Sequence, residues 1–410
     1  MKARRPFVFT IAALALFAFN SATRADPTKT VVVDCTAGET IAKALTLGDE
    51  RKPLLVQIIG TCTEHVLIDR NDVTLAAGAP VATVSGPDPA IDVIKVNASR
   101  VTIDGITVTG GRNGITGNSA PGLIVRNATV QGTGRNGITY AHGASGVVDN
   151  TVVTGNARDG VAVDSASATV INSQVNQNGR MGVGVFNGGS ARIGIDNFNV
   201  AAGNTISANT VNGVHIVFGS TALIAMNEIR DNGTGNPTGS GINLTSASAD
   251  IVGGNMVSGN AGTGINLRSS SAVIGDQNFG LTTVNTVTGN GNPASQGGIS
   301  GFLGSSMSIR DAVISGNAVA GLILTTRSSV QIASTTIRDN LAALPSTGDG
   351  IRIVLGSALF AQAPNGTNGT VTGNAGFGLL CTDTESSVIN IPLLGIGPNT
   401  AGPVSGCTGF

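Results

Sequence analysis

The chain has 410 residues, of which 59 are Gly, 11% are charged and 3% aromatic, with one Tyr and no Trp. Lys and Glu are scarce and Gly is about twice its usual share, which disfavours a helical protein and favours strands joined by glycine-bearing turns. The formal charge of −1 lacks the basic excess of a general nucleic-acid binder, so no nucleic-acid partner is expected.

Residues 1–25 open on Lys2, Arg4 and Arg5, run through an apolar stretch from Phe7 to Phe19 and end on the small residues Thr23 and Ala25. This is the pattern of a secretory signal peptide with cleavage before Asp26; the plain alternative is a buried N-terminal helix. Cleavage removes four cations, Lys2, Arg4, Arg5 and Arg24, and no anion, taking the formal charge from −1 to −5. The stretch is short for a bilayer, and no later one is long and apolar enough to cross. A secreted or periplasmic protein without a membrane span is expected.

Residues 26–50 read as an N-terminal cap. Val31 to Asp34 is a short strand, Thr36-Ala-Gly-Glu39 has the spacing of a capping box, and Ile41, Ala42, Ala44 and Leu45 follow at helical spacing. Such a helix would cover the open end of whatever sheet follows. Leu54 to Ile59, Val66 to Ile68, Val73 to Leu75 and Val101 to Val108 are then strand-like runs between Gly, Pro, Asn and Asp.

From Arg112 onward one phrase repeats: Arg112-Asn113-Gly114-Ile115, Arg135-Asn136-Gly137-Ile138, Arg158-Asp159-Gly160-Val161 and Arg180-Met181-Gly182-Val183, with glycines at steps of 23, 23 and 22. Further anchor glycines stand at 213, 241, 264, 298, 321, 350 and 378, and the residue after each of the eleven is aliphatic. Two positions on, another large apolar residue usually follows (Tyr140, Val163, Val185, Ile216, Leu244, Leu267). That is period two, a strand with one face in and one out. Units of this size cannot bury an apolar face alone and must stack, so a single solenoid domain is expected over 51–395, with 396–410 as a C-terminal cap or tail. A monomer is expected.

Asparagines precede the glycines at 156, 178, 209, 232, 260, 290, 317, 340 and 374, and most follow another Asn at 150, 172, 204, 227, 255, 285 or 368. Stacked in register, both sets would form ladders of side-chain amides. Cys35 and Cys62 lie 27 apart, Cys381 and Cys407 lie 26 apart, and the mean step from Gly114 to Gly378 is also about 26. One repeat along a solenoid is one strand spacing of ~4.8 Å, within disulfide range. Two staples are therefore expected, Cys35–Cys62 and Cys381–Cys407, each contributing about 3.5 kcal/mol in the chain-entropy model.

These repeats resemble the right-handed parallel β-helix proteins of the pectin-lyase-like superfamily. The resemblance covers Leu54 to about Leu394, and Glu39-Thr-Ile-Ala-Lys-Ala-Leu45 is similar to the capping helix of its members. The fold class expected is thus all-β, a single right-handed parallel β-helix with a short N-terminal helix and asparagine ladders. The resemblance implies looking first for enzymes that cleave or epimerise acidic polysaccharides. Their motifs are missing: the chain has no Asp-Asp pair, no Gly-His-Gly, no Arg-x-Pro-x-x-Arg and no Asp-Pro-His-Asp. No cofactor is implied, and Ca²⁺ enters only if the chain is a lyase.

Two constellations remain. His215 stands in the outward column above Asn243 and Asn266, with Arg268 nearby, and an imidazole there could act as a base while Arg holds a uronate; the plain alternative is a solvent-exposed His among ladder residues. Arg112, Arg135, Arg158 and Arg180 form a cationic column that suits an anionic polysaccharide or cell-surface glycan; the plain alternative is a solubilising edge partly balanced by Asp159 and Asp164. His142 and His65 are poorer candidates. Insertions after Gly182, Gly264 and Gly350 map to loops, where solenoids often bind. The leading expectation is an exported protein that binds carbohydrate or a cell-surface polyanion without catalysis; the alternative is a divergent polysaccharide lyase or epimerase.

Overall fold

Alternating residues that must bury one face, repeated every two dozen positions, leave the chain one way to pair: each strand beside its counterpart in the next coil. The computed structural model describes residues 29–275, 281–293, 295–363 and 368–407, so the leader expected at 1–25 lies outside them. Among these residues every strand pairing is parallel, the exceptions being confined to an isolated antiparallel bridge, Ile195 to Ala201. The strands form a 14-stranded sheet and a 27-stranded sheet. The first carries the anchor-glycine strands. The second consists of two strips that pair separately along the rod and merge where Val73–Gly86 is long enough to pair with both Thr102–Asp104 and Thr107–Gly110.

Pairing begins with Lys29–Asp34 on Leu54–Ile59 and ends with Gly402–Ser405 on Phe377–Leu380. Ile138 sits beside Val161, Val161 beside Val183 and Val183 beside Val214, in the register the repeat implies. All four are fully buried, and each contributes on the order of 1.5–3 kcal/mol by leaving water.

Three corners per coil take the left-handed backbone, as at His142, Asn150 and Gly155 in one turn. The residue after two of these corners points inward and forms a ladder. Asn209 is typical: its Oδ1 accepts from the Asn178 backbone N–H (3.1 Å) and Nδ2 (3.0 Å), while its own Nδ2 donates to Val175 O (3.1 Å) and Asn232 Oδ1 (2.9 Å). The column runs from Asn156 to Asn374 and on to Asn399. It also explains the glycines: a Cβ on Gly160 would lie 2.7 Å from Asn178 Nδ2 and 2.8 Å from Gly182 O, so no other residue fits without movement.

The second ladder differs from expectation. Asn204, Asn227, Asn255 and Asn285 join it, but Asn150, Asn172 and Asn368 are exposed. Asn150 and Asn172 occupy the corner itself, with φ of 45° and 50°, a conformation Asn tolerates. Thr151 and Ser173 take the inward position instead, and Thr151 N–H donates to Ser173 Oγ at 3.1 Å.

At the N-terminal end a helix of five residues, Ile41–Leu45, buries Ile41 and Ala44. The expected capping box does not form. Glu39 instead accepts from the Asp34 N–H (2.8 Å), Thr40 caps the helix through Lys43 N–H, and Glu64 accepts from Ile41 and Ala42. Both staples are present, with Cα separations of 5.1 Å for Cys35–Cys62 and 4.8 Å for Cys381–Cys407.

Replacing Asn209 by Ala removes four buried hydrogen bonds and is expected to lower stability by more than about 2 kcal/mol. Gln174→Ala, on the solvent side of a strand, should stay within about 0.5 kcal/mol. Urea midpoints of the two variants decide it; equal losses would show that the ladder adds nothing.

Candidate functional site

A cleft of about 740 Å³ runs along the outer face of the 14-stranded sheet. Its floor is the outward column Lys95, Thr116, Thr139, Ala162, Gly184 and His215, each one coil from the next, so it spans about 24 Å at the strand spacing. One wall is the turn that carries Arg112, Arg135, Arg158 and Arg180. The opposite rim is the corner that holds His142, Asn187 and Phe218.

The arginine wall is built by backbone pairing. Arg158 N–H donates to Arg135 O at 2.8 Å and Arg180 N–H donates to Arg158 O at 2.9 Å. Beside it lies a third, shorter ladder: Asn113 Nδ2 donates to Asp92 (2.9 Å), Asn136 N–H to Asn113 (3.1 Å), Asp159 N–H to Asn136 (3.3 Å) and Met181 N–H to Asp159 (3.2 Å). This ladder delivers the Asp159 carboxylate, only 1% exposed, to Arg180, which grips it through Nε (2.7 Å) and a terminal nitrogen (2.5 Å). Among the described residues Arg112, Arg135 and Arg158 make no ion pair. Arg158 is held below the ordinary arginine range, by burial first and then by the charges of Arg180 and Arg135.

His215 is half-buried rather than solvent-exposed. Burial, and then the Arg180 charge, push its imidazole down to about 4, with Asp159 acting weakly the other way. It is therefore neutral at pH 7. Phe186 sits edge-on to it, with ring centroids 6.5 Å apart, and the Arg180 guanidinium lies 5.4 Å from the Phe186 centroid. The Phe186 ring lies over Gly184, where a side chain would collide with it. Three buried polar atoms of the cleft, Thr116 Oγ1, Arg135 Nε and His215 Nδ1, have no hydrogen-bond partner. Unsatisfied groups of this kind are costly unless something binds them.

The structure thus joins two sets that sequence reasoning kept apart: His215 and the four arginines share one cleft. Asn243, Asn266 and Arg268 fall outside it. Asn266 Nδ2 donates to Asn243 (2.7 Å), Ser300 donates to Asn266 (2.6 Å), and Arg268 lies over the Phe302 ring at 5.5 Å. His142 is exposed on the rim, 2.7 Å from Asn118 Oδ1. His65 is tied to Asp92 O and the Asp88 N–H, and Tyr140 is core, its hydroxyl 3.1 Å from two backbone carbonyls. Phe186 was missed; Gly184 in a column of side-chain-bearing neighbours, two residues before a Phe, was the available signal.

The cleft does not fit Ca²⁺. Asp159 is taken by Arg180, Asp164 accepts from Asn187 Nδ2 (2.7 Å), and among the described residues the one close group of three potential ligands is Cys35, Cys62 and Glu64, where both cysteines are in a disulfide.

The chain belongs to the right-handed β-helix family, whose model, described as the right handed beta helix region, matches residues 58–200 and 274–391. The fold is a right-handed parallel β-helix. No curated protein sequence matches it. Among solved structures it is similar to the A-module of the mannuronan C-5 epimerase AlgE6 of Azotobacter vinelandii, at 12% identity over 93% of this chain and 89% of that one, with a TM-score of 0.40. It is also similar to the catalytic unit of a GH87 alpha-1,3-glucanase from Streptomyces thermodiastaticus (14%, 92% and 69%, TM-score 0.49) and to pectate lyase Pel9A (12%, 92% and 81%, TM-score 0.33). At these identities the likeness is one of fold.

Between pH 6.5 and about 4 the unfolded chain protonates His215 while the folded chain does not. The unfolded state then binds more protons, so stability falls as pH drops through that window. Relative to His215→Gln, wild type should lose melting temperature progressively as pH falls from 6.5 to about 4, with no such titration-linked loss at pH 7 and with the variant's profile flatter. Parallel profiles would show that His215 is not buried as described.

Proposed function

We propose that this chain is an exported β-helix protein that binds an anionic carbohydrate polymer along the cleft. The observation that carries this reading is the column of Arg112, Arg135 and Arg158, three guanidinium groups without carboxylate partners, one per coil. Their mutual repulsion is a standing cost, reduced by water and salt but not removed. A polymer with carboxylates repeating along its length relieves it group by group, and a guanidinium pairs with a carboxylate through two parallel hydrogen bonds. The disulfides support export, since such bonds persist in oxidising compartments.

A second reading has its own support. His215 is neutral, its Nδ1 has no partner, and Arg158, which has no ion pair among the described residues, lines the same cleft. A uronate whose carboxylate is neutralised by arginine has a more acidic C5–H, and a neutral imidazole can accept that proton, as a base weakened by its burial. Loss of the 4-linked sugar from the resulting carbanion gives the lyase outcome; return of a proton to the other face gives the epimerase outcome. Binding without catalysis ranks first because, among the described residues, no acidic cluster or second base converges on His215.

Replacing Arg112, Arg135 and Arg158 together by Gln should weaken binding of a soluble polyuronate by roughly 30-fold, at about 0.7 kcal/mol per contact, and flatten its salt dependence. Calorimetric titration at two salt concentrations reads both, and unchanged affinity sinks the binding reading. Accumulation of unsaturated or epimerised uronate, abolished in His215→Ala while binding persists, would establish the enzymatic reading instead.

A further inference from the structure

The corner that forms the far rim of the cleft holds small or polar residues in its first coils: Ser119, His142, Ser165 and Asn187, with φ between 51° and 53°. These side chains are small or polar and can hydrogen-bond from the corner; Ser119 Oγ, for example, donates to His142 O of the next coil at 2.9 Å. The next coil puts Phe218 there, at φ 55° and 65% exposed. An aromatic residue gains nothing from that backbone and buries little of its ring. Strain of this kind is concentrated where structure serves binding.

Phe186, the other aromatic residue of the cleft, is already engaged by Arg180, His215 and Gly184. Phe218 has a free face, and it stands one coil past the last arginine, beside His215. We propose that Phe218 is a specificity-determining residue of the cleft: a platform for the apolar face of a pyranose ring, on the rim opposite the arginines and one coil past Arg180, where a sugar chain filling the groove along Arg112, Arg135 and Arg158 meets it. This rests on the polyanion reading above and narrows it. Guanidinium groups alone would accept any polyanion of suitable charge spacing, whereas a ring with axial C–H groups also stacks on an aromatic face. Phe218 therefore makes the cleft choose uronate polymers over polyphosphate. Leu303 and Leu355 share the strained corner conformation at 41% and 60% exposure, but neither lines the cleft and neither offers a ring.

The test is Phe218→Ser, which restores the residue that the corner holds at Ser119 and Ser165, with Phe218→Trp as its counterpart. Both are titrated against an oligouronate and against inorganic polyphosphate. Expected for Phe218→Ser is a roughly tenfold loss for the oligouronate, no change for polyphosphate, and an undiminished melting temperature; Phe218→Trp keeps oligouronate affinity. The arginine variant, in contrast, loses both ligands. If wild type binds the oligouronate and Phe218→Ser binds it equally well, the platform is refuted while the arginine column stands. If wild type binds neither ligand, the polyanion reading fails and the platform with it.

Discussion

The amide-to-amide contact between asparagines of successive coils is the constraint on which the rest of the molecule depends. A parallel β-helix must turn its chain three times per coil, and two of those turns place backbone N–H groups against a dry interior where no water reaches them. Asn209 resolves this for its own coil and the one before, since its carbonyl oxygen serves the backbone and side chain of Asn178 while its NH₂ group serves Val175 O and Asn232. Leaving such groups unpaired costs about 1–3 kcal/mol apiece. The ladder also dictates its neighbours: the amide occupies the space a Cβ at Gly160 or Gly182 would need. Asparagine and glycine four residues apart are therefore one device, and the period they keep is the period of the stack.

That register turns a one-dimensional repeat into a surface. Residues one period apart stand about 4.8 Å apart, so a row of like residues becomes a wall. Arginines at that spacing on a flexible loop would splay apart. Here the hydrogen bonds from Arg158 N–H to Arg135 O and from Arg180 N–H to Arg158 O hold their backbones in line. Arg158 is held below the ordinary arginine range by burial first, and the charges of Arg180 and Arg135 on either side add to it.

The columns of the interior were legible because period two and a fixed repeat leave little choice: Ile138, Val161 and Val183 adjoin as their spacing requires. The staples were legible for the same reason. Errors arose where two neighbouring positions favour the same residue type, or where a partner comes from far along the chain. Asn150 and Asn172 sit at the corner and not on the ladder because both places suit asparagine, one for its left-handed backbone and one for its amide. The helix cap was misread because the acid that serves Ile41 and Ala42 is Glu64, from the next coil, and not Glu39. For the cleft, the period gave each residue's position along the rod but not across it. His215 and the arginines belong to different parts of the coil, and only the turn connecting them shows that they face one groove.

The cleft also has a direction. Its first coils present Lys95 and three arginines that form no ion pair among the described residues, with Asp92 and Asp164 in the same lining. At the fourth arginine the character changes, because Asp159 arrives on its short ladder and saturates Arg180. An Arg–Asp pair so placed gives up charge but gains rigidity, and Arg180 then serves as a fixed lid on the Phe186 ring. With Arg180 occupied, the ring held over Gly184 and His215 kept neutral by burial, the last coils of the cleft are uncharged and aromatic. The groove therefore presents charge at one end and an apolar, aromatic surface at the other, a difference set by where the Asp159 ladder meets Arg180.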